Sequence, residues 1–146
     1  MNEPVEPMDL APGNELDRSE CLRLLAGAVI GRVVNTENAL PVAHPVTFAL
    51  TGEEIVFRTA ADGRLAAAAT GAVVAFQVDD IDAERCTGWS VLGIGQAYQL
   101  TDVLCGTPLT NQETRANGGA TTACLIRIPL SRLTGRRFGA TPRKDG

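Results

Sequence analysis

Across residues 28–60, 72–80, 88–100 and 120–130, apolar side chains recur at about every second position. That period predicts strands with one buried face. On this reading six segments are strands: "AVIGRVVNT" (28–36), "LPVAHPVTFAL" (40–50), "EEIVFRTA" (53–60), "AVVAFQVDD" (72–80), "GWSVLGIGQAYQL" (88–100) and "ATTACLIRIPL" (120–130). In the second, Leu40, Val42, His44, Val46, Phe48 and Leu50 share a face. Pro41 and Pro45 lie opposite and remove ladder donors, so this strand is expected at a sheet edge. Two segments break the period. "LDRSECLRLLAG" (16–27) predicts a short helix opened by Asp17 with Glu20 as a capping box and stopped at Gly27. "DGRLAAAATG" (62–71) is an alanine-rich helix closing on Gly71. Residues 102–118 have no clear period and read as a loop; residues 131–146 read as a turn with a basic tail. Short links suit antiparallel pairing, so the pattern predicts a mainly β protein, a closed or nearly closed barrel with short flanking helices.

The Gly93-Ile94-Gly95 stretch invites a dinucleotide-loop reading, which its context excludes. The third glycine of that fingerprint is missing, and the chain beyond Tyr98 continues the β period where a helix is required. As a strand, it places Trp89, Val91, Gly93, Gly95 and Ala97 on one face. Small residues there allow a bend or a close approach by another part of the chain.

A length of 146 residues predicts one domain, taken as 17–138, between a flexible acidic, proline-rich arm (1–16) and a basic tail (139–146). The net charge of −4 argues against a general nucleic-acid binder. No apolar run is long enough for a membrane helix and the start of the chain is unlike an export signal, so a cytoplasmic protein is expected. Cys21, Cys86, Cys105 and Cys124 are scattered and read as reduced, mostly buried thiols, with no metal site.

Catalytic constellations are scarce. The single histidine, His44, sits in register with aliphatic residues and reads first as a core residue. The cluster Asp79, Asp80, Asp82 and Glu84 lacks calcium-loop spacing and reads as a solvated turn. The better candidate is "FRTAADGR", which sets Arg58 and Thr59 at a strand end and Arg64 at a helix start. Two guanidinium groups, a hydroxyl and helix-start amides there suit a phosphate.

The ordered set "LPVAHPVTF" (40–48), "EEIVFRTAADGRLAAA" (53–68), "VVAFQVDDID" (73–82), "GWSVLGIGQA" (88–97) and "LTGRRF" (133–138) resembles the pyridoxamine phosphate oxidase-like, FMN-binding split-barrel family, in particular its short actinobacterial members. The resemblance implies a six-stranded split β-barrel that forms a homodimer with flavin at the subunit interface. It implies that His44, Pro45, Val46 and Thr47 run beside the flavin ring. Phe57, Arg58, Thr59, Arg64 and Leu65 would hold the phosphate end, and Trp89 and Ser90 would wall the pocket or the dimer seam. The implied activity is an FMN-dependent oxidoreductase of a small redox-active substrate, with no nucleic-acid or membrane partner. A deazaflavin coenzyme, haem, a non-catalytic flavin sensor and a cofactor-free dimer are the alternatives within the same fold. Arg64 stands where relatives often carry lysine, Thr47 where close relatives often carry asparagine, and His44 where they are apolar or aromatic. The basic set of a true pyridoxamine phosphate oxidase is not evident, which argues against that specific activity. His44 is the one candidate proton donor near neutral pH.

Overall fold

The computed structural model describes residues 14–100 and 123–139. Within them the order is β1 (Glu15–Leu16), α1 (Arg18–Ala26), β2 (Ile30–Glu37), β3 (Leu40–Thr47), β4 (Ala49–Thr51), β5 (Glu54–Ala60), α2 (Arg64–Ala69), β6 (Val73–Asp82), β7 (Thr87–Gln96), β8 (Tyr98–Leu100), β9 (Ala123–Pro129) and β10 (Arg132–Phe138). The strands form two sheets, one ordered β1-β10-β7-β6-β2-β3 and the other β4-β5-β9-β8. Every pairing is antiparallel. The fold is mainly β with short helices, as the alternation predicts, and its two sheets agree with the split barrel that the resemblance implies.

Two of the six expected strands serve both sheets, which is why the strand count rises. Residues 40–50 divide at Phe48, passing from β3 in the larger sheet to β4 in the smaller. Residues 88–100 divide in the same way at Ala97, between β7 and β8. These two corners turn the chain from one sheet to the other. The proline-bearing β3 is an edge strand, as its missing donors require. The expected turn after residue 131 is instead strand β10, paired along its whole length with β7. Arginine-rich "RLTGRRF" alternates less cleanly than the core strands, which hid it. Glu15 and Leu16 pair with Arg136 and Gly135, so the ordered domain begins before residue 17. The expected loop at 102–118 and most of the two terminal segments lie outside the described residues.

The core lies between the sheets. Val33, Phe76 and Val91 from one face meet Ile55, Phe57, Ile126 and Ile128 from the other, all of them buried. Each such side chain contributes about 1.5–3 kcal/mol by leaving water. Phe76 also packs edge-on against Phe48, with ring centroids 4.7 Å apart. The small-residue face of β7 serves close approach. A Cβ at Gly95 would lie 1.7 Å from the Pro129 carbonyl oxygen, so β9 crosses directly against the β7 backbone.

Helix α1 is capped by Asp17, whose carboxylate accepts the Glu20 amide at 2.8 Å. The reciprocal half of the capping box is absent, because the Glu20 side chain pairs with Arg23 and Arg137 instead. Cys21 and Cys124 are buried as expected, whereas Cys86 is exposed on a turn. Among the described residues, no helix is long and apolar enough to cross a membrane.

Candidate functional site

The β2–β3 hairpin turns on Asn38 and Ala39, with φ of 53° and 66°. Two successive left-handed residues make the tight turn whose twist matches antiparallel strands. Its register places Val33 opposite His44, Asn35 opposite Val42 and Glu37 opposite Leu40. One face of β2 therefore runs Gly31, Val33, Asn35, Glu37, and the first three are buried. Two polar residues at the turn end of a core-facing row are the unexpected feature of this hairpin.

They form a unit with His44. The imidazole Nε2 lies 2.6 Å from Glu37 Oε2, and Asn35 Nδ2 donates to the same oxygen at 3.2 Å. The Glu37 side chain keeps 13% of its exposure and that of His44 31%. The hydrogen bond from His44 and then that from Asn35 hold the Glu37 carboxyl below the usual carboxylate range; desolvation opposes them, and the charges of His44 and Arg64 add to them. Arg64 opens α2, which packs on both β2 and β5, so its charge acts beside this pair. Asn35 is only 4% exposed, and its Oδ1 is buried with no hydrogen-bond partner. Its amide orientation is set by the carboxylate, which needs the nitrogen toward it.

The structure gathers some of the expected residues and separates others. His44 bonds Glu37, and the charge of Arg64 acts on the same carboxylate. Val46 is half-buried on the His44 face of β3, while Pro45 and Thr47 are exposed on the opposite face. Phe57 and Leu65 are core residues. Arg58 and Thr59 are neighbours on β5, and strand alternation turns them to opposite faces. Thr59 is buried and Arg58 half-buried, so they do not converge on one point as expected. Helix α2 has six residues and no side-chain cap, too short to present the strong anion site read from its sequence.

Trp89 and Ser90 lie on β7, three strands across the sheet from β3. With about 4.8 Å per strand spacing, that is roughly 14 Å before any offset along the strands. Within one chain they are therefore not neighbours of His44. Trp89 packs against the core, opposite Asp80 and Arg137. Ser90 belongs to the outer face of the large sheet, where Gln77 Nε2 donates to Ser90 Oγ at 3.1 Å and to Asp79 Oδ2 at 2.8 Å. Arg32 reaches Gln77 Oε1 at 3.4 Å. Around this polar row the same face leaves Ile30 62% and Val73 70% exposed, with Leu92 also exposed. A groove of about 230 Å³ lined by Ile30, Arg32, Pro45, Gln77 and Asp79 opens on it. That is below the ~300–1,000 Å³ of small-molecule sites.

Asn35, Glu37, Arg32 and Gln77 were missed in the sequence. The available signal for the first two was parity: polar residues two and four positions beyond Val33 share its buried face. The carboxyl-terminal arginines are partly committed, since Arg127 bonds Glu54 Oε1 at 3.0 Å beside Tyr98, and Arg137 pairs with Glu20.

Comparison with known proteins places this geometry. The chain is 41% identical over 93 residues to uncharacterized protein Rv0080 of Mycobacterium tuberculosis, an alignment spanning 60% of this chain and 61% of that protein. The solved structure of the FAD binding protein from Mycobacterium smegmatis is 30% identical, covers 85% of this chain and 96% of its own, and superposes with a TM-score of 0.65. The FAD and heme binding protein from the same organism shares the fold at 15% identity, covering 90% of this chain and 77% of its own, with a TM-score of 0.67. The family model described as pyridoxamine 5′-phosphate oxidase matches residues 17–137, from the capping Asp17 to β10, and the chain belongs to that family.

Proposed function

We propose that this chain is a flavin-dependent oxidoreductase of a small redox-active substrate, working as a homodimer with the flavin at the subunit interface. The observation that carries the reading is the family match over residues 17–137, joined to the 30%-identical structure described as an FAD binding protein. FMN is the coenzyme proposed first; FAD carries the same isoalloxazine ring and proximal phosphate and makes the same demands on that end of the site.

The residues fit such a group in two respects. A buried acceptor without a partner, Asn35 Oδ1, suits the N–H or O–H donors of a flavin. Arg64 is exposed and Arg58 half-buried, on neighbouring elements, and are the residues proposed to hold the phosphate. The flavin would supply hydride or electron transfer, while the protein orients it and excludes water. A second copy is supported by the exposed apolar face of the large sheet. The second chain would also bring a Trp89 and a Ser90 toward the first chain's β3.

A deazaflavin coenzyme, whose acidic tail needs arginines, is the second reading. Arg132, exposed on β10, favours it; the pairing of Arg127 and Arg137 with carboxylates weighs against it.

The test is the visible spectrum of the purified protein, with the mass of whatever it releases on denaturation. Flavin absorbance and an FMN or FAD mass support the reading, and a deazaflavin mass selects the second. A colourless protein that takes up none of the three at micromolar concentration overturns both. Arg64→Ala and Arg58→Ala are each expected to weaken flavin binding about tenfold or more, the loss of one charge-assisted bond. Unchanged affinity in both moves the phosphate elsewhere. Reduction of the bound flavin by a nicotinamide donor, then reoxidation by an acceptor, separates an enzyme from a sensor.

A further inference from the structure

His44 is the only histidine of the chain, and its ring is held at one nitrogen. Nε2 faces the Glu37 carboxylate at 2.6 Å, and Asn35 fixes that carboxylate from within the barrel. An Nε2–H donated to a carboxylate leaves Nδ1 as the nitrogen that exchanges a proton with anything outside the pair. The ring is reachable, because β3 is the last strand of its sheet among the described residues and the His44 side chain is 31% exposed. Besides His44, the charge acting on the Glu37 carboxylate is that of Arg64 from α2; β3 carries no other titratable side chain.

We infer that Glu37 and Asn35 are positioning residues that pin the His44 ring through Nε2 and present Nδ1 as the proton donor to a substrate. The inference rests on the flavin reading above and deepens it. It selects acceptors that need a proton together with a hydride, such as an alkene conjugated to a carbonyl. There the hydride adds to the β-carbon and the Nδ1 proton to the α-carbon; the C=C π bond breaks and two C–H bonds form. The electron pair would come from dihydroflavin, which would end oxidised and be restored by a reduced nicotinamide. His44 gives its proton as the imidazolium, is left as the neutral Nε2–H ring, and regains the Nδ1 proton from water. The Glu37 carboxylate keeps its charge throughout and orients the ring, so it neither gains nor passes the proton.

A single histidine lets the pinning be read without turnover, by nitrogen-15 NMR on histidine-labelled protein. The neutral ring is expected as the Nε2–H tautomer, with a downfield Nε2 proton protected from exchange at least about tenfold over that of Glu37→Gln. The flavin-loaded protein is then assayed with 2-cyclohexen-1-one and, as an acceptor needing no protein acid, para-benzoquinone. His44→Gln is expected to slow cyclohexenone reduction about 100-fold. Glu37→Gln is expected to slow it about tenfold and to shift its pH profile, and in both variants quinone reduction is expected to fall by far less than cyclohexenone reduction. An unprotected ring, a Glu37→Gln spectrum like the parent's, equal losses with both acceptors, or no reduction of cyclohexenone overturns the inference. Failure to bind any flavin defeats the functional reading instead and leaves the NMR result to decide the pinning.

Discussion

The two ends of the β7–β6–β2–β3 wall are finished differently. Where β7 meets β9 the barrel is closed to the limit of van der Waals contact. Gly93 and Gly95 leave room for Leu130 and the Pro129 carbonyl, and Val91 and Ala97 beside them are fully buried. At the hairpin end the same inner layer contains Asn35, Glu37 and His44, with a buried acceptor unpaired and an imidazole open on one side. Interiors are close-packed wherever only stability is asked of them. Buried polar groups held short of full satisfaction cost stability, and on the function proposed above the hairpin end is where this fold is used.

The largest effects are expected at the closed end. Phe76→Ala removes a fully buried ring that touches Phe48 and fills the space above Gly31. A loss of about 3–5 kcal/mol is expected from urea unfolding. Gly95→Ala attacks the same region by overfilling, since its Cβ would meet backbone that cannot rotate away. The expected loss is about 1–3 kcal/mol, or more if β9 cannot shift. A Gly95→Ala variant as stable as the parent would mean that β7 and β9 are not in contact, and that the closed end is no tighter than the open one.

That closed end is also the part most legible in the sequence. Alternation put Val91, Gly93, Gly95 and Ala97 on one face, because the strand period of two is a property of the backbone itself. The paired prolines of β3 announced an edge for the same reason, through donors the chain lacks. The corner at Phe48 left no mark, since a strand that changes sheet keeps its alternation through the bend, and the one at Ala97 showed only as small residues that allow a bend. The site was legible by residue and not by partner. His44 stood out as the lone histidine, yet its partner Glu37 is seven positions away across a hairpin and reads as an ordinary turn-flanking acid. The convergence expected of Arg58 and Thr59 failed on the period that identified β5, which sends neighbours to opposite faces.

The smallest expected effect separates two carboxylates that are shifted in the same direction. Glu37 is held below its ordinary value of 4.5 chiefly by the hydrogen bond from His44, and Glu20 below the same value chiefly by Arg23. A carboxyl whose folded-state pKa is lowered stabilises the fold fully above its unfolded value, and loses that contribution as pH falls through the folded one. Both Glu37→Gln and Glu20→Gln are therefore expected to flatten the fall in urea midpoint between about pH 6 and pH 3.5. Salt tells them apart. Glu20 keeps 36% of its side-chain exposure and pairs with arginines at the surface, whereas Glu37 keeps 13% and is bonded from the barrel side by Asn35. At about 0.5 M salt the Glu20 contribution is expected to be screened away while that of Glu37 persists, because screening acts on exposed pairs far more than on partly buried ones. If the two contributions fade together, Glu37 is solvated as Glu20 is, and the open end of the barrel holds its histidine no more firmly than the surface holds an arginine.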